Sequence, residues 1–298
     1  MTNALALGHQ AQLCTDAASP IDTSSEPFEF VSEDVRKTGL HIERAGIRGT
    51  RSHDAADVRD GPYSVAGTIV MEPTPVELAI WLPRILGAAA DGNTYALAET
   101  VPDFVLCIDR ISKVFTYTGC KVNRCVFSGS AGGMLQMALE IVGKTEAAVG
   151  AAGSFPALTI VEGSSYIFSD VVLTLTSARG IANFDLTIDN HLIADRFLNA
   201  VTLAEIPEGD RTITLRAMPA YDTDNTDLYG QAVAGAAGTL IFEIATVYRT
   251  TFTFAKLQAP PESPVVGGKG EIMLPLTMIA RQSGETKELV VTHESLAV

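Results

Sequence analysis

Apolar and polar residues alternate with a period of two along much of this chain, and this limits the fold more than any other feature. "SDVVLTLTS" puts Val171, Leu173 and Leu175 on one face. "NFDLTID" puts Phe184, Leu186 and Ile188 on one face, with Asp185, Thr187 and Asp189 opposite. "RTITLRA" puts Ile213, Leu215 and Ala217 together. Successive side chains of a strand point to opposite sides, so these runs predict half-buried strands.

Two helices interrupt the strands. In "PTPVELAIWLPRILG", Thr74 is the expected N-cap, Pro75 suits the first helical position and Glu77 completes a capping box. Leu78, Trp81, Leu82 and Ile85 share one helical face, and Gly87 is a natural stop. Pro83 removes one backbone hydrogen bond and bends the last turn. The second predicted helix is "TDNTDLYGQAVAGAAG", with Tyr229, Ala232, Val233 and Ala236 on one face.

The surroundings of the two helices match. Each follows a strand ("SVAGTIVM" or "RTITLRAM") and precedes another, Phe104 to Ile108 or Leu240 to Ile244. An aromatic-threonine strand follows, "VFTYT" or "TFTFA". Phe115 and Phe252 are 137 residues apart, and so are Leu135, Met137, Leu139 and Ile141 from Ile272, Leu274, Leu276 and Met278. One offset fitting both strands predicts an internal duplication. The offset is larger at the helices, which predicts an insertion near "NTYALAETVPD" in the first half. "GGMLQMALEIVGK" is rich in helix formers, but its counterpart "GEIMLPLTMIARQ" carries Pro275 in the middle. Strand is the common reading, with Pro275 at an edge or bulge.

The expected fold is therefore mainly β with flanking helices, α+β in class, as a duplicated β-sandwich or barrel domain with one α-helix per half. The expected boundaries are an N-terminal arm over 1–38, one domain over 39–150 and a second over 151–298. The Gly/Ala-rich "AAVGAAGSFPALT", residues 147–159, marks the junction. The start is rich in Ser, Thr, Asp and Glu with little pattern, which predicts the arm.

Composition excludes several functions. Of 298 residues, 47% are hydrophobic and 19% charged, so the chain can bury a sizeable core. The formal net charge is −14, which argues against binding to nucleic-acid phosphates or anionic lipid. No apolar run reaches the ~20 residues of a membrane span, and the N-terminus lacks the features of a secretory signal. Cys14, Cys107, Cys120 and Cys125 do not form a disulfide framework and read as reduced thiols.

Candidate chemistry is sparse. "SGSAGG", residues 128–133, resembles a nucleophile elbow around Ser130, but Ser128 stands where that motif requires glycine. A loop between strands is the expected role. "DTDNTD", residues 222–227, resembles a calcium loop, but Asp227 replaces the glycine of the sharp turn. A helix N-terminus explains those carboxylates. Cys107, Cys120 and Cys125, with His41, His53 and His191 scattered, lack zinc spacing and read as buried apolar residues. His53, Asp54 and Asp57 share the loop "TRSHDAADVRDG", where Arg51 and Arg59 make solvated ion pairs the expected role over acid–base catalysis. Trp81 reads as a core anchor. No catalytic, cofactor-binding or metal residue is expected, and no cofactor.

The segment "GIRGTRSHDAADVRDGPYSVAGTIVMEPTPVELAIWLPRILG", residues 46–87, resembles the tail tube proteins, or major tail proteins, of siphophages (long-tailed bacteriophages). Its Arg-Gly, Asp-Val-Arg, Gly-x-x-x-Val-x-Gly and Pro-x-Pro-x-Glu-Leu elements carry the likeness, and "KVFTYTGCKVNRCVFSGSAGG" adds to it. The resemblance covers most of residues 40–285. It implies a structural, non-enzymatic virion protein assembled in the host cytoplasm, whose rings stack into a tube around a continuous lumen. Tube rings of this kind are six-fold in tube domains, so two fused domains imply a homotrimer; without duplication the ring is a homohexamer. The implied partners are further copies of the chain, a tape measure protein, and the tail terminator and distal tail proteins. Double-stranded DNA passes through the lumen during ejection without specific binding. A wall with more acidic than basic side chains is the expectation for such a channel. The competing readings are another tail or neck ring protein (a terminator or distal tail protein), and a carbohydrate-binding β-sandwich, which the 7% aromatic content disfavours. A hydrolase built on His53 or Ser130 ranks last.

Overall fold

The computed structural model describes residues 6–18, 20–47, 49–147, 149–219, 228–245, 247–266, 268–270 and 272–296. Strands β1 (Gln12–Asp16), β2 (Glu26–Phe28), β3 (Ser32–Glu33), β4 (Arg36–Glu43) and β5 (Val58–Met71) precede helix α1 (Pro75–Leu86). Then come β6 (Thr94–Ala96), β7 (Phe104–Asp109), β8 (Lys113–Ser130), β9 (Gln136–Gly143), β10 (Thr145–Glu146) and β11 (Gly150–Ala151). The second half opens with β12 (Val171–Leu175), β13 (Ser177–Arg179), β14 (Ile181–Asp189) and β15 (Thr212–Pro219), followed by helix α2 (Leu228–Ala234). It closes with β16 (Ala236–Ile244), β17 (Tyr248–Gln258), β18 (Leu276–Arg281) and β19 (Leu289–Ser295). The chain is mainly β, as the alternation predicts.

One open antiparallel sheet runs through both halves in the order β4–β5–β9–β8–β14–β15–β18. The link between halves is β8 against β14, with Asn183 opposite Ser130 and Asp189 opposite Arg124. Strand β8 serves two layers. Its first stretch pairs with β7, β10 and β11, and its second with β9 and β14. At the changeover Gly119 holds φ +60, a conformation that side chains disfavour. In the outer layer β1 lies between β2 and β7, β12 between β13 and β16, and β17 between β16 and β19. Strand β6 extends β19.

Burial follows the alternation. Met137, Leu139 and Ile141 of β9 are fully buried, and so are Leu186 and Ile188 of β14. The helix formers of "MLQMALEIV" adopt a strand because β5 and β8 pair with both its edges, and pairing overrides weak propensity. Pro275 sits just outside β18, where its missing N–H costs no ladder bond.

Helix α1 forms as its sequence predicts. The Thr74 hydroxyl accepts from the Glu77 N–H at 3.3 Å, and the Glu77 carboxylate accepts from the Thr74 N–H at 2.8 Å. Gly87 caps the far end in the left-handed region, where a Cβ would lie 2.4 Å from the Thr100 carbonyl. Trp81 is buried between Phe28 at 5.2 Å and Phe104 at 5.6 Å between ring centroids. Arg84, also buried, donates to Thr15 at 2.6 Å and Glu26 at 2.5 Å, tying the helix to β1 and β2. Burial lowers its pKa, and the Glu26 carboxylate opposes that shift. Thr74→Ala is expected to lower the unfolding free energy by about 1 kcal/mol, as loss of a cap does. Equal urea midpoints for variant and parent would rule out this role.

Two expectations need correction. The second helix was predicted to run to Gly238, but it ends at Ala234; Gly235 turns the chain at φ +84 and β16 begins at Ala236. Its predicted start, residues 223–227, lies outside the described residues. The patternless N-terminal segment also contributes to the core. Leu13, Cys14, Phe28 and Val35 are buried. Both faces of β1 are covered, so no alternation marks it. The 147–159 junction packs too, with Phe155 and Leu158 against Cys14, Cys107 and Val114.

A single apolar cluster runs from Leu13 to Val291 across both halves. At its centre Phe242 touches Phe252 at 5.2 Å, Tyr166 and Phe184 at 5.8 Å, and Phe127 at 6.1 Å between centroids.

Candidate assembly edges

The residues weighed for chemistry lie apart. His53, Asp54 and Asp57 sit on the exposed β4–β5 connection. The His53 ring pairs with Glu43 at 2.5 Å, which raises its pKa, and His41 pairs with Asp60 at 3.0 Å. The Asp54 carboxylate accepts from the Ala56 N–H at 3.0 Å. These two pairs tie the β4–β5 hairpin together on its exposed side. Ser128, Gly129 and Ser130 end β8 and pair with β14, and a turn rather than a helix follows. This is a strand end and a hairpin turn, without the strand-to-helix geometry of a nucleophile elbow.

All four cysteines are buried and free. Cys14 and Cys107 lie opposite each other across β1 and β7. The neighbouring Cys107 thiol and burial both push the Cys14 thiol up. Burial pushes Cys120 up to about 12. Cys14, Cys120 and Cys125 therefore stay protonated, while hydrogen bonds with Cys14 and Thr116 hold the Cys107 thiol below its ordinary value. Among the described residues no group of His, Cys, Asp and Glu could hold a metal ion. His191 pairs with Asp189 at 3.5 Å on the surface. No helix among the described residues is long and apolar enough to cross a membrane.

Sequence reasoning missed a buried polar chain. The Tyr166 hydroxyl meets the Thr250 hydroxyl at 2.9 Å, and Thr250 meets His293 Nδ1 at 2.8 Å. Burial lowers the His293 pKa and raises that of Tyr166 to about 12, so both are neutral at pH 7. The chain ties the 160s segment to β17 and β19. No spacing in the sequence announces it, because its members lie on three distant segments.

A second polar bridge spans the halves. Lys121 Nζ donates to Glu208 at 2.6 Å, and the Val101 N–H donates to the same carboxylate at 2.8 Å. Burial alone would raise the Glu208 pKa, but these hydrogen bonds outweigh it and the net shift is downward. A carboxylate held below its unfolded pKa stabilises the fold at neutral pH, and that contribution fades as pH falls through the folded value. Glu208→Gln is therefore expected to be less stable than the parent at pH 7, with the gap closing in acid. A gap independent of pH in urea titrations would contradict the assignment.

The features left without a job are edges. Among the described residues strand β4 pairs with β5 on one side only, and every residue in it is exposed. At the other end of the sheet β18 pairs with β15, but on its outer side only Ile279 to Arg281 meet β17. Residues 259–266 continue from β17 with no strand partner among the described residues. Exposed apolar residues gather there: Val31 59%, Leu40 56% and Ile42 53% at one edge, Val265 80% and Val266 70% at the other. Natural sheets cover or blunt such edges, and a row of free backbone groups beside apolar side chains is a template for another chain.

A family model for phage tail tube proteins matches residues 2–280. The chain belongs to the phage tail tube protein family. Membership accounts for a β-rich chain whose open features are edges. The family is structural rather than enzymatic, and a tail tube protein is a component of the virion tail that assembles with its own kind. No curated protein matches the chain significantly.

Proposed function

We propose that this tail tube protein assembles in the host cytoplasm as homo-oligomeric rings that stack into the tail tube, the conduit for genome delivery. The observation that carries this reading is the sheet running through both halves, with β4 unpaired on its outer side among the described residues and β18 met by β17 only over Ile279–Arg281. A sheet open at both ends is completed by joining copies edge to edge, and closure removes all edges.

A trimer of duplicated domains is the form we favour. Strand pairings of the first half recur in the second. The order β4–β5–β9–β8–β7 matches β14–β15–β18–β17–β16, with a helix after β5 and after β15. The pairs β1–β2, β1–β7 and β8–β10 match β12–β13, β12–β16 and β17–β19. Register supports the 137-residue offset: Lys121 opposes Val142, and Gln258 opposes Ile279. On this reading the 1–38 arm belongs to the first repeat, with domains over 39–150 and 151–298 otherwise as drawn from sequence. Six domains from three chains then form each ring, and each half contributes a sandwich whose inner sheet joins a common barrel.

The inner sheet face opposite the core is our choice for the lumen wall. On it Asp189 lies opposite Arg124 and Asp185 opposite Arg216. Charges paired in this way leave the wall close to neutral rather than strongly acidic, and neither state holds sliding DNA. The tape measure protein, terminator and distal tail proteins are the partners this role requires.

Negative-stain microscopy of the purified protein tests the reading. Stacked rings or tubes at high concentration are expected, and a strictly monomeric species at every concentration would sink it. Single rings that never stack would favour a terminator or distal tail protein. Six chains per ring would remove the duplication and leave the tube.

A further inference from the structure

The junction inside the chain contains the geometry of a junction between chains, provided the ring reading holds. The halves meet where β14 lies against the second stretch of β8. The pairings identify what stands at the same place in the other half. Ile69 opposes Leu139 and Ala217 opposes Leu276; Leu139 and Leu276 differ by the constant 137, so Ile69 corresponds to Ala217. Glu33 opposes Ile69 as Phe184 opposes Ala217, so β3 and β4 correspond to β14. The same offset of 137 carries the β8 stretch Arg124–Ser128 onto Pro261–Val265.

Both counterparts lack the partner that their equivalents have. Strands β3 and β4 end the sheet, and residues 259–266 enter no strand pairing among the described residues. Pro260, Pro261 and Pro264 remove three backbone donors from that segment. Prolines at an edge block indiscriminate pairing yet leave carbonyls and the remaining N–H groups for one chosen partner. Exposed Leu40, Ile42, Val265 and Val266 lie on these two segments.

We propose that the β3–β4 edge of one copy pairs antiparallel with residues 259–266 of a second copy, reproducing the β8–β14 junction between chains. The occupant is a second copy because the only interface of this kind among the described residues is between the chain's own halves. The register follows by transfer. Asp185 opposite Ser128 becomes Asp34 opposite Val265; Thr187 opposite Val126 becomes Arg36 opposite Ser263; Asp189 opposite Arg124 becomes Thr38 opposite Pro261. The contact joins two different edges, so it is head-to-tail and propagates around a ring.

Cysteine cross-linking tests the register. Arg36 and Ser263 are both exposed, and the four native cysteines are buried, with Cys14 facing Cys107 inside the chain, so the background of links between chains is low. Directly opposed residues of an antiparallel pair have Cα atoms about 4.5–5.5 Å apart, within disulfide reach. Mixing Arg36→Cys with Ser263→Cys under assembly conditions and oxidising is expected to give a disulfide-linked dimer that neither variant gives alone. A chain carrying both substitutions should give a ladder ending in a covalently closed ring. Glu262→Cys with Arg36→Cys should not link, because a one-residue slip turns the side chain to the other face. Asp34→Cys with Val265→Cys reads the same register if the first pair folds poorly. Rings visible by microscopy with neither designed pair linked would overturn this junction and leave the tube function standing; the absence of both rings and links would overturn both.

Discussion

Phe242→Ala is expected to lower the unfolding free energy by about 3–5 kcal/mol, the range for deleting a buried aromatic side chain. Phe242 has no exposed surface, and its ring touches four others. Alanine removes the buried area and leaves a cavity that stiff neighbours fill poorly. Edge and tilted ring contacts add about 0.5–1.5 kcal/mol per pair beyond area alone. Native domains have only about 5–15 kcal/mol of stability, so the variant would sit near the folding threshold. The effect reaches both halves, because Phe127 comes from β8 and the other rings from the second half. Phe242→Leu keeps much of the volume and should cost clearly less. Urea denaturation of the unassembled protein measures both; a loss under about 1 kcal/mol for the alanine variant would show that the cluster repacks freely.

Trp81→Ala is expected to cost a similar 3–5 kcal/mol, with a different signature. The indole fills the space between α1, Phe28 and Phe104, and the Arg84 guanidinium lies 5.2 Å from its ring centre. Its Nε1–H is buried with no acceptor. Leaving a donor unsatisfied costs about 1–3 kcal/mol, so the native residue carries a penalty that phenylalanine lacks. Trp81→Phe should therefore lie far closer to the parent than Trp81→Ala, the lost area and the relieved donor partly cancelling. A phenylalanine variant as unstable as the alanine one would show that ring size, not the polar penalty, decides this site.

How much was legible depends on whether a signal is local. The capping box of α1 was readable because Thr74, Glu77 and Gly87 act within one helix. The faces of β14 and β15 were readable because one side is buried and the other is not. Strand β1 was not, since both its faces are covered and alternation disappears. The end of α2 was misplaced because Ala and Gly tolerate helix and strand alike, and only Gly235 marks the turn. The β8–β14 junction, the Lys121–Glu208 bridge and the Tyr166–Thr250–His293 chain were beyond reach. A periodicity tells which way a side chain points, not which segment it meets. The candidate edges were invisible for the same reason: Ile42 looks like any other strand residue, and Val265 like any loop residue, until their neighbours are known.

The β8–β14 seam also bears on the kinetics of assembly. Two surfaces on one chain meet at an effective concentration set by the connecting segment, of the order of millimolar for a short link. Separate chains must meet at whatever concentration the cell supplies. In a ring of three such chains, half the seams form during folding and do not depend on concentration. Three seams remain to be made, each from the same pair of edges: two by encounter of separate chains and the third by closure within the assembled trimer. Diluting the protein should therefore dissolve rings into chains whose internal seam stays closed, never into half-chains with frayed edges.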